Sequence, residues 1–218
     1  IWGDFILESP LSFKFEKPII IIPEEHDSLP GINVETSEQI NSSLVGGAFY
    51  VDITNRSPGK GNLSLLISDS TIFPTFLDSL GSWTTHEINE KLGTDIDSIS
   101  FSATDPLENS KALEVEFYKN GTRQFFIGRI FDLEFPPADS IDYEWGYALP
   151  AFPGMYTSSV RIDTTVLSWL ITDEPRYVNA MITFDHSPMI DETTYAPITL
   201  QTTNAIEARA YLTLTLDT

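Results

Sequence analysis

The chain has 218 residues, no cysteine and a formal net charge of −20 at pH 7. The lack of cysteine excludes disulfides, thiolate metal sites and cysteine nucleophiles. The negative charge repels phosphates and anionic lipids, so we predict neither nucleic acid nor a membrane as a partner. The strongest apolar run, residues 19–22, is also far shorter than the roughly 18 residues of a membrane helix.

Short strands separated by prolines are predicted at the start of the chain. Phe13 and Phe15 alternate with polar neighbours, which favours a strand with its apolar residues on one face. The prolines between the strands place them at sheet edges, because proline cannot donate to a strand ladder. An acidic loop at residues 24–27 follows, and a weak strand is predicted near residues 32–35.

Two alternating segments, residues 48–54 and 62–68, are predicted to pair as a hairpin. Residues 57–61 between them read Ser-Pro-Gly-Lys-Gly, which is typical of a turn. The predicted apolar faces consist of Phe49, Val51 and Ile53 in the first segment and Leu63, Leu65 and Ile67 in the second.

One short helix is predicted near residues 85–92. Thr84 and Glu87 have the spacing of a capping box, in which each side chain hydrogen-bonds the backbone N–H of the other residue. Gly93 suits the left-handed conformation that often ends a helix.

A second hairpin is predicted around Asn120-Gly121, a pair that favours a two-residue turn with positive φ at both positions. Pairing outward from this turn places Phe117 opposite Gln124 and Val115 opposite Phe126. Phe126 is therefore predicted to share a face with Val115 and Phe117.

Aromatic residues dominate the segment that follows. Alternation predicts a strand over residues 141–147 with Tyr143, Trp145 and Tyr147 on one face. Such a row suits stacking on sugar rings or a protein interface. Packing beneath the neighbouring proline-rich loop is the structural alternative.

The last segment has the strictest alternation in the chain. Residues 206, 208, 210, 212, 214 and 216 are all apolar, whereas the residues between them are polar or amphipathic. This pattern predicts a long strand with one apolar face, which we expect to be buried against a second layer. A similar strand is predicted over residues 176–185.

These elements predict an all-β fold of the antiparallel β-sandwich or jelly-roll class, with the single helix near residues 85–92. We predict two packed sandwich domains. Residues 1–155 would form the first, and residues 156–218 a C-terminal antiparallel unit that completes a second sandwich or the same one.

Acidic loops supply candidate ligands for calcium, which prefers carboxylate oxygens. The candidates are Asp95 with Asp97, Asp105 with Glu108, and the acidic loop at residues 24–27; no other cofactor is predicted. Glu114 and Glu116 lie on one predicted strand face, an arrangement that a sandwich-fold glycosidase could use.

The sequence contains no Gly-x-Ser-x-Gly motif and no histidine pair with metal-ligand spacing. We therefore predict a non-enzymatic structural, adhesive or assembly module that is extracellular or on a cell surface. It would act through protein contacts, including self-assembly through strand edges. The alternative is a carbohydrate-binding module that uses the aromatic face and structural calcium.

Overall fold

The computed structural model describes residues 11–74, 82–107, 110–130, 133–149, 151–162, 164–191, 193–200 and 205–217. Strands account for 50% of residues and helices for 14%, and the sheets are antiparallel, so the prediction of a mainly β, antiparallel fold is confirmed.

The helices are α1 (Val34–Ser43), α2 (Thr85–Leu92) and α3 (Thr164–Leu170). The strands are β1 (Leu11–Phe13), β2 (Ile19–Ile21), β3 (Asp27–Leu29), β4 (Leu44–Asn55), β5 (Gly61–Ser68), β6 (Ser98–Leu107), β7 (Ser110–Lys119), β8 (Thr122–Arg129), β9 (Leu133–Phe135), β10 (Ile141–Asp142), β11 (Tyr147–Ala148), β12 (Gly154–Ile162), β13 (Arg176–Phe184), β14 (Met189–Asp191), β15 (Thr194–Tyr195), β16 (Ile198–Leu200) and β17 (Ile206–Leu216).

Two sheets contain the long strands. One has three strands in the order β12-β4-β17, and the other has eight, with the path β2-β13-β5-β8-β7-β6 and with β3 beside β13 and β9 beside β5. A single buried cluster contains residues of both sheets, such as Ile53 of β4 and Ile67 of β5, and also Leu167 of α3. The two sheets are therefore held together by shared apolar burial.

The eight-stranded sheet also buries its other face. A second cluster contains Leu66 of β5, Val115 and Phe117 of β7, and Ile88 of α2. Because this sheet is covered on both sides, its strands carry apolar residues at both odd and even positions.

The predicted hairpin of residues 48–54 and 62–68 is wrong in its pairing. Both strands form, as β4 and β5, but β4 pairs with β12 and β17, whereas β5 pairs with β13, β8 and β9. The predicted apolar faces do meet, but across the space between the two sheets. The connection is thus a crossover from one layer to the other.

Asn55, at the end of β4, organises this crossover. Its side chain is fully buried, and its Nδ2 donates to the carbonyl oxygens of Gly59 at 2.7 Å and Pro136 at 2.8 Å. Its Oδ1 accepts from the backbone N of Ser57 at 2.8 Å and from Ser57 Oγ at 2.7 Å. One buried side chain therefore hydrogen-bonds four polar groups at the crossover.

The capping box of α2 is confirmed. The Thr84 side chain accepts from Glu87 N, Glu87 Oε2 accepts from Thr84 N at 2.8 Å, and Gly93 ends the helix at φ 64°. The described residues contain two further helices, α1 and α3. The prediction of a weak strand near residues 32–35 is wrong, because α1 begins at Val34. Asn33 caps this helix, its Oδ1 accepting from Thr36 N at 2.8 Å.

The turn of the second hairpin is confirmed, with φ 52° at Asn120 and 73° at Gly121. The predicted register is wrong by one residue, because an irregularity between Phe117 and Tyr118 shifts the pairing, so that Phe117 lies opposite Phe125. Phe126 then packs in the core between the sheets, away from Phe117.

The domain boundary near residue 155 stays a prediction. Strands on either side of it pair with one another: β12 and β17 flank β4, and β13 lies beside β5.

In the described ranges, no helix is both long and apolar enough to cross a membrane.

Candidate functional site

The terminal strand β17 forms an edge of the three-stranded sheet. It pairs with β4 along one side, from Ile206 opposite Asn55 to Leu216 opposite Leu44. No other strand of the described residues pairs with its outer side. An 11-residue strand therefore presents a row of backbone N–H and C=O groups that have no strand partner.

The predicted faces of β17 are confirmed, but their predicted burial is wrong. The apolar side chains point toward the eight-stranded sheet, because Ala208, Ala210 and Leu212 lie opposite inward-facing residues of β4. However, only Ile206 and Leu212 are partly buried, and Leu214 and Leu216 are 38% and 44% exposed. Alternation identified the inward face but could not show whether a second layer covers it.

An open groove lies along the exposed Ala208 and Ala210 of this face. It has a volume of about 900 Å³ and lies between β17 and β4 on one side and β5 and β13 on the other. Its apolar lining includes Ala208, Ala210, Leu212, Phe49, Val51, Leu63, Leu65, Val178 and Ala180. A mainly apolar lining is typical of sites that receive apolar groups of a ligand or partner.

The eight-stranded sheet extends beyond the three-stranded sheet on this side. Its β13 carries β2 and β3 on its far edge, with Ile182 opposite Ile21 and Arg176 opposite Leu29. Ile182 packs against the core between the sheets, so Ile21 shares that inner face. Yet Ile21 is 45% exposed and Leu29 is 38% exposed, which shows that no strand of the described residues lies over them.

Carboxylates lie at the rim of this groove. Glu25 and Asp27 both line it and are both exposed, whereas no lysine or arginine is among its described lining residues. No ion pair joins either carboxylate to a described basic side chain. The groove is therefore lined mainly by apolar side chains, with Ser64, Asn179 and His26 among them, and its two formally charged lining residues are both acidic.

The aromatic segment forms a tight hairpin, so the predicted continuous strand over residues 141–147 is wrong. β10 pairs with β11, and Asp142 Oδ1 accepts from the backbone N of Glu144 at 3.0 Å and of Trp145 at 3.2 Å. Gly146 adopts φ 69°, a conformation that favours glycine. This turn interrupts the alternation.

The three aromatic residues consequently do not form one row. Tyr143 and Trp145 lie in the turn and are 49% and 64% exposed, whereas Tyr147 is half-buried in β11. Thr199 Oγ1 donates to the carbonyl oxygen of Trp145 at 2.6 Å, which fixes the hairpin against β16. Two large rings are thus exposed to solvent at the tip of a hydrogen-bonded hairpin.

The candidate calcium ligands have structural contacts. Asp95 pairs with Lys119, and Asp97 Oδ2 accepts from Asn120 N at 2.6 Å, so both carboxylates support the second hairpin. Glu108 and the side chain of Asp105 lie outside the described part of the structure. The described residues contain no group of three or more side chains placed to hold a metal ion, and calcium binding stays a prediction.

Glu116 belongs to a polar network on the outer part of β7 and β8. Tyr118 Oη donates to it at 2.7 Å, and Arg123 Nη1 donates at 3.1 Å. The hydrogen bond from Tyr118, together with the contact with Arg123, lowers the pKa of Glu116 despite its partial burial. That direction is opposite to the raised pKa that a general acid needs.

Comparison of the chain with protein-family models, with curated proteins and with solved structures finds no match.

Proposed function

We propose that the protein is a non-enzymatic assembly or adhesion module of the extracellular space or cell surface. Its free β17 edge accepts an extended segment of another protein as an added strand. The observation that carries the proposal is the open groove beside an unpaired strand edge whose apolar side chains are exposed. Strand addition uses both features, since the backbone provides hydrogen bonds and alternate side chains enter pockets.

The composition of β17 supports this use. Soluble proteins usually protect long strand edges with proline, an inward-pointing charge or a short strand. β17 has 11 residues and contains no proline, and its inward face carries only isoleucine, alanine and leucine. The edge formed by β2 and β3 differs, since each of these strands has three residues and Pro18, Pro23 and Pro30 flank them.

We propose that the two sheets form one sandwich that is one strand short on this side. In a closed sandwich, strands of both sheets cover each other's inner faces about 10 Å apart. An added strand beside β17 would pair with the free edge of that strand. It would also lie over Ile21 and Leu29 and so cover the exposed inner face of β2 and β3. This arrangement requires no change in the pairing of the described strands.

Charge favours a different protein over a second copy as the occupant. Each copy carries a formal charge of −20, and the groove rim is itself acidic, so two copies repel each other at close range. A segment from a basic protein, or from one that is less acidic, avoids this electrostatic repulsion.

The experiment uses a display library of nine-residue segments with threonine at every even position and all residue types at the odd positions. We expect selected segments to bind the wild-type protein, and Ala210→Trp to weaken binding at least about tenfold, because its indole ring would occupy the groove. Thr215→Trp adds the same ring on the opposite face of β17 and should leave binding unchanged. Binding that survives Ala210→Trp, or a library without binders, would contradict the proposal.

A second candidate function, carbohydrate binding, is favoured by the exposure of Tyr143 and Trp145 at the hairpin tip. Exposed aromatic rings at a turn can stack on sugar faces. We expect Trp145→Ala to abolish retention on a polysaccharide affinity gel while changing the free energy of unfolding by less than about 0.5 kcal/mol. Tyr211→Ala, which removes another ring that is 57% exposed, should retain binding; equal losses in both variants would argue against a site at the tip.

A further inference from the structure

We propose that the β17 groove selects a segment with a basic residue at its centre and apolar residues at the alternate positions on both sides. This inference rests on the proposed strand addition and names the chemistry of the partner. It follows from the order of side chains on the uncovered inner face of β2 and β3.

The register along β13 gives that order. Leu29 lies opposite Arg176, Asp27 opposite Val178, and Ile21 opposite Ile182. The paired inner positions of this edge are therefore apolar at Leu29, acidic at Asp27 and apolar at Ile21, and no residue of β2 or β3 pairs with Ala180, between the last two. Residues 22–26, which include Glu25, connect β2 to β3 and bring a second carboxylate to the groove between them.

An added strand lies one strand spacing, about 4.8 Å, beyond β17. Its inward side chains then face this edge at every second residue. The side chains near its ends meet Ile21 and Leu29, and those near its middle meet Glu25 and Asp27. On the β17 side, the strand contacts only small or aliphatic groups such as Ala208 and Ala210, which leaves room for a long side chain at the centre.

Lysine or arginine suits this central position best. Its aliphatic stem can lie along the apolar lining while its charged head reaches the carboxylates at the mouth. A central carboxylate would instead face two like charges in a partly desolvated site, which is unfavourable. A central leucine would leave both carboxylates beside apolar surface with no partner.

The test compares three synthetic nine-residue peptides with threonine at even positions and valine at odd positions, except for the fifth residue, which is lysine, leucine or glutamate. Binding is measured by fluorescence anisotropy on the full chain. We expect the lysine peptide to bind about tenfold more tightly than the glutamate peptide and more tightly than the leucine peptide. This preference should weaken as salt is raised.

The matched protein variant is Glu25→Gln with Asp27→Asn. Both side chains are exposed, so we expect the melting temperature to stay unchanged while the preference for lysine falls to less than twofold. If the leucine peptide binds as well as the lysine peptide, or the double variant keeps the preference, the inference fails but strand addition stands. If none of the peptides binds, both fail.

Two other occupants would also overturn the inference. A dimer that forms in the wild-type protein and is abolished by Ala210→Trp would identify a second copy as the occupant. Peptide binding that appears only after deletion of residues 1–10 would identify that part of the same chain as the occupant. Light scattering and repetition of the anisotropy titration on the deletion variant separate these outcomes.

Discussion

Asn55→Ala is expected to lower the free energy of unfolding by about 3 kcal/mol, because a fully buried amide with four hydrogen bonds is lost. The alanine would remove the Asn55 donor from the carbonyl oxygens of Gly59 and Pro136 and the Asn55 acceptor from Ser57 N. Only the longer hydrogen bond from Ser57 Oγ to Gly59 O, at 3.4 Å, would remain among these groups. Since these groups belong to the crossover between the two sheets, the loss should loosen the connection between layers. Urea denaturation followed by tryptophan fluorescence measures the change.

Asn62→Ala is the matched control. Asn62 Nδ2 makes a single hydrogen bond to Asp185 Oδ1, at 3.3 Å in a half-buried position, so its removal should cost less than about 1 kcal/mol. Equal and small effects of the two substitutions would show that contacts other than the Asn55 amide hold the crossover loop.

Phe117→Ala is expected to cost about 3–5 kcal/mol, since it deletes a ring from the second core. Phe117 is fully buried, and its ring stacks on that of Phe125 with the ring centroids 4.2 Å apart. The resulting cavity would lie between the eight-stranded sheet and α2, where Ile88 is also fully buried. Chemical denaturation of the purified variant tests this value.

Phe101→Ala provides the comparison on the same sheet. Phe101 lies on the edge strand β6 opposite Val115 and is 47% exposed, so deleting its ring should cost about 1 kcal/mol or less. If the Phe101 and Phe117 variants were equally destabilised, the second core would not have the extent described above.

The local features of the fold could be predicted from sequence. Period-two alternation located β13 and β17, and the Thr84–Glu87 spacing located α2, because these signals depend only on neighbouring residues. The turn at Asn120-Gly121 was predictable for the same reason. Each of these features is decided by backbone geometry within a few residues.

The pairing of strands was not predictable in the same way. A turn-rich loop between two alternating strands is compatible with both a hairpin and a crossover. The partners found here, β12 and β17 beside β4 and β13 beside β5, are distant in sequence. The register of β7 and β8 was missed because both faces of that sheet are buried, so alternation does not distinguish Phe125 from Phe126.

The candidate site was missed for a related reason. Alternation showed which face of β17 is apolar. Whether that face is buried depends on how the strands of the eight-stranded sheet, including β2 and β3, lie opposite it, and this is not encoded in β17 itself. Alternation predicted Trp145 in a strand, yet its position in a turn depends on the Asp142 side chain and on Gly146. An aspartate followed four residues later by glycine was the available signal for that turn.

The accessibility of the inward face of β17 tests the central claim most directly. The chain has no cysteine, so single-cysteine variants report maleimide labelling at one position each. We expect Ala210→Cys to react nearly as fast as Thr215→Cys and on the order of 100-fold faster than Ile53→Cys, whose site must open before it reacts. We also expect a bound lysine-centred peptide to slow labelling at Ala210→Cys alone. Slow labelling of Ala210→Cys in the free protein, at the rate of Ile53→Cys, would show that the groove is already filled and would contradict the proposed strand addition.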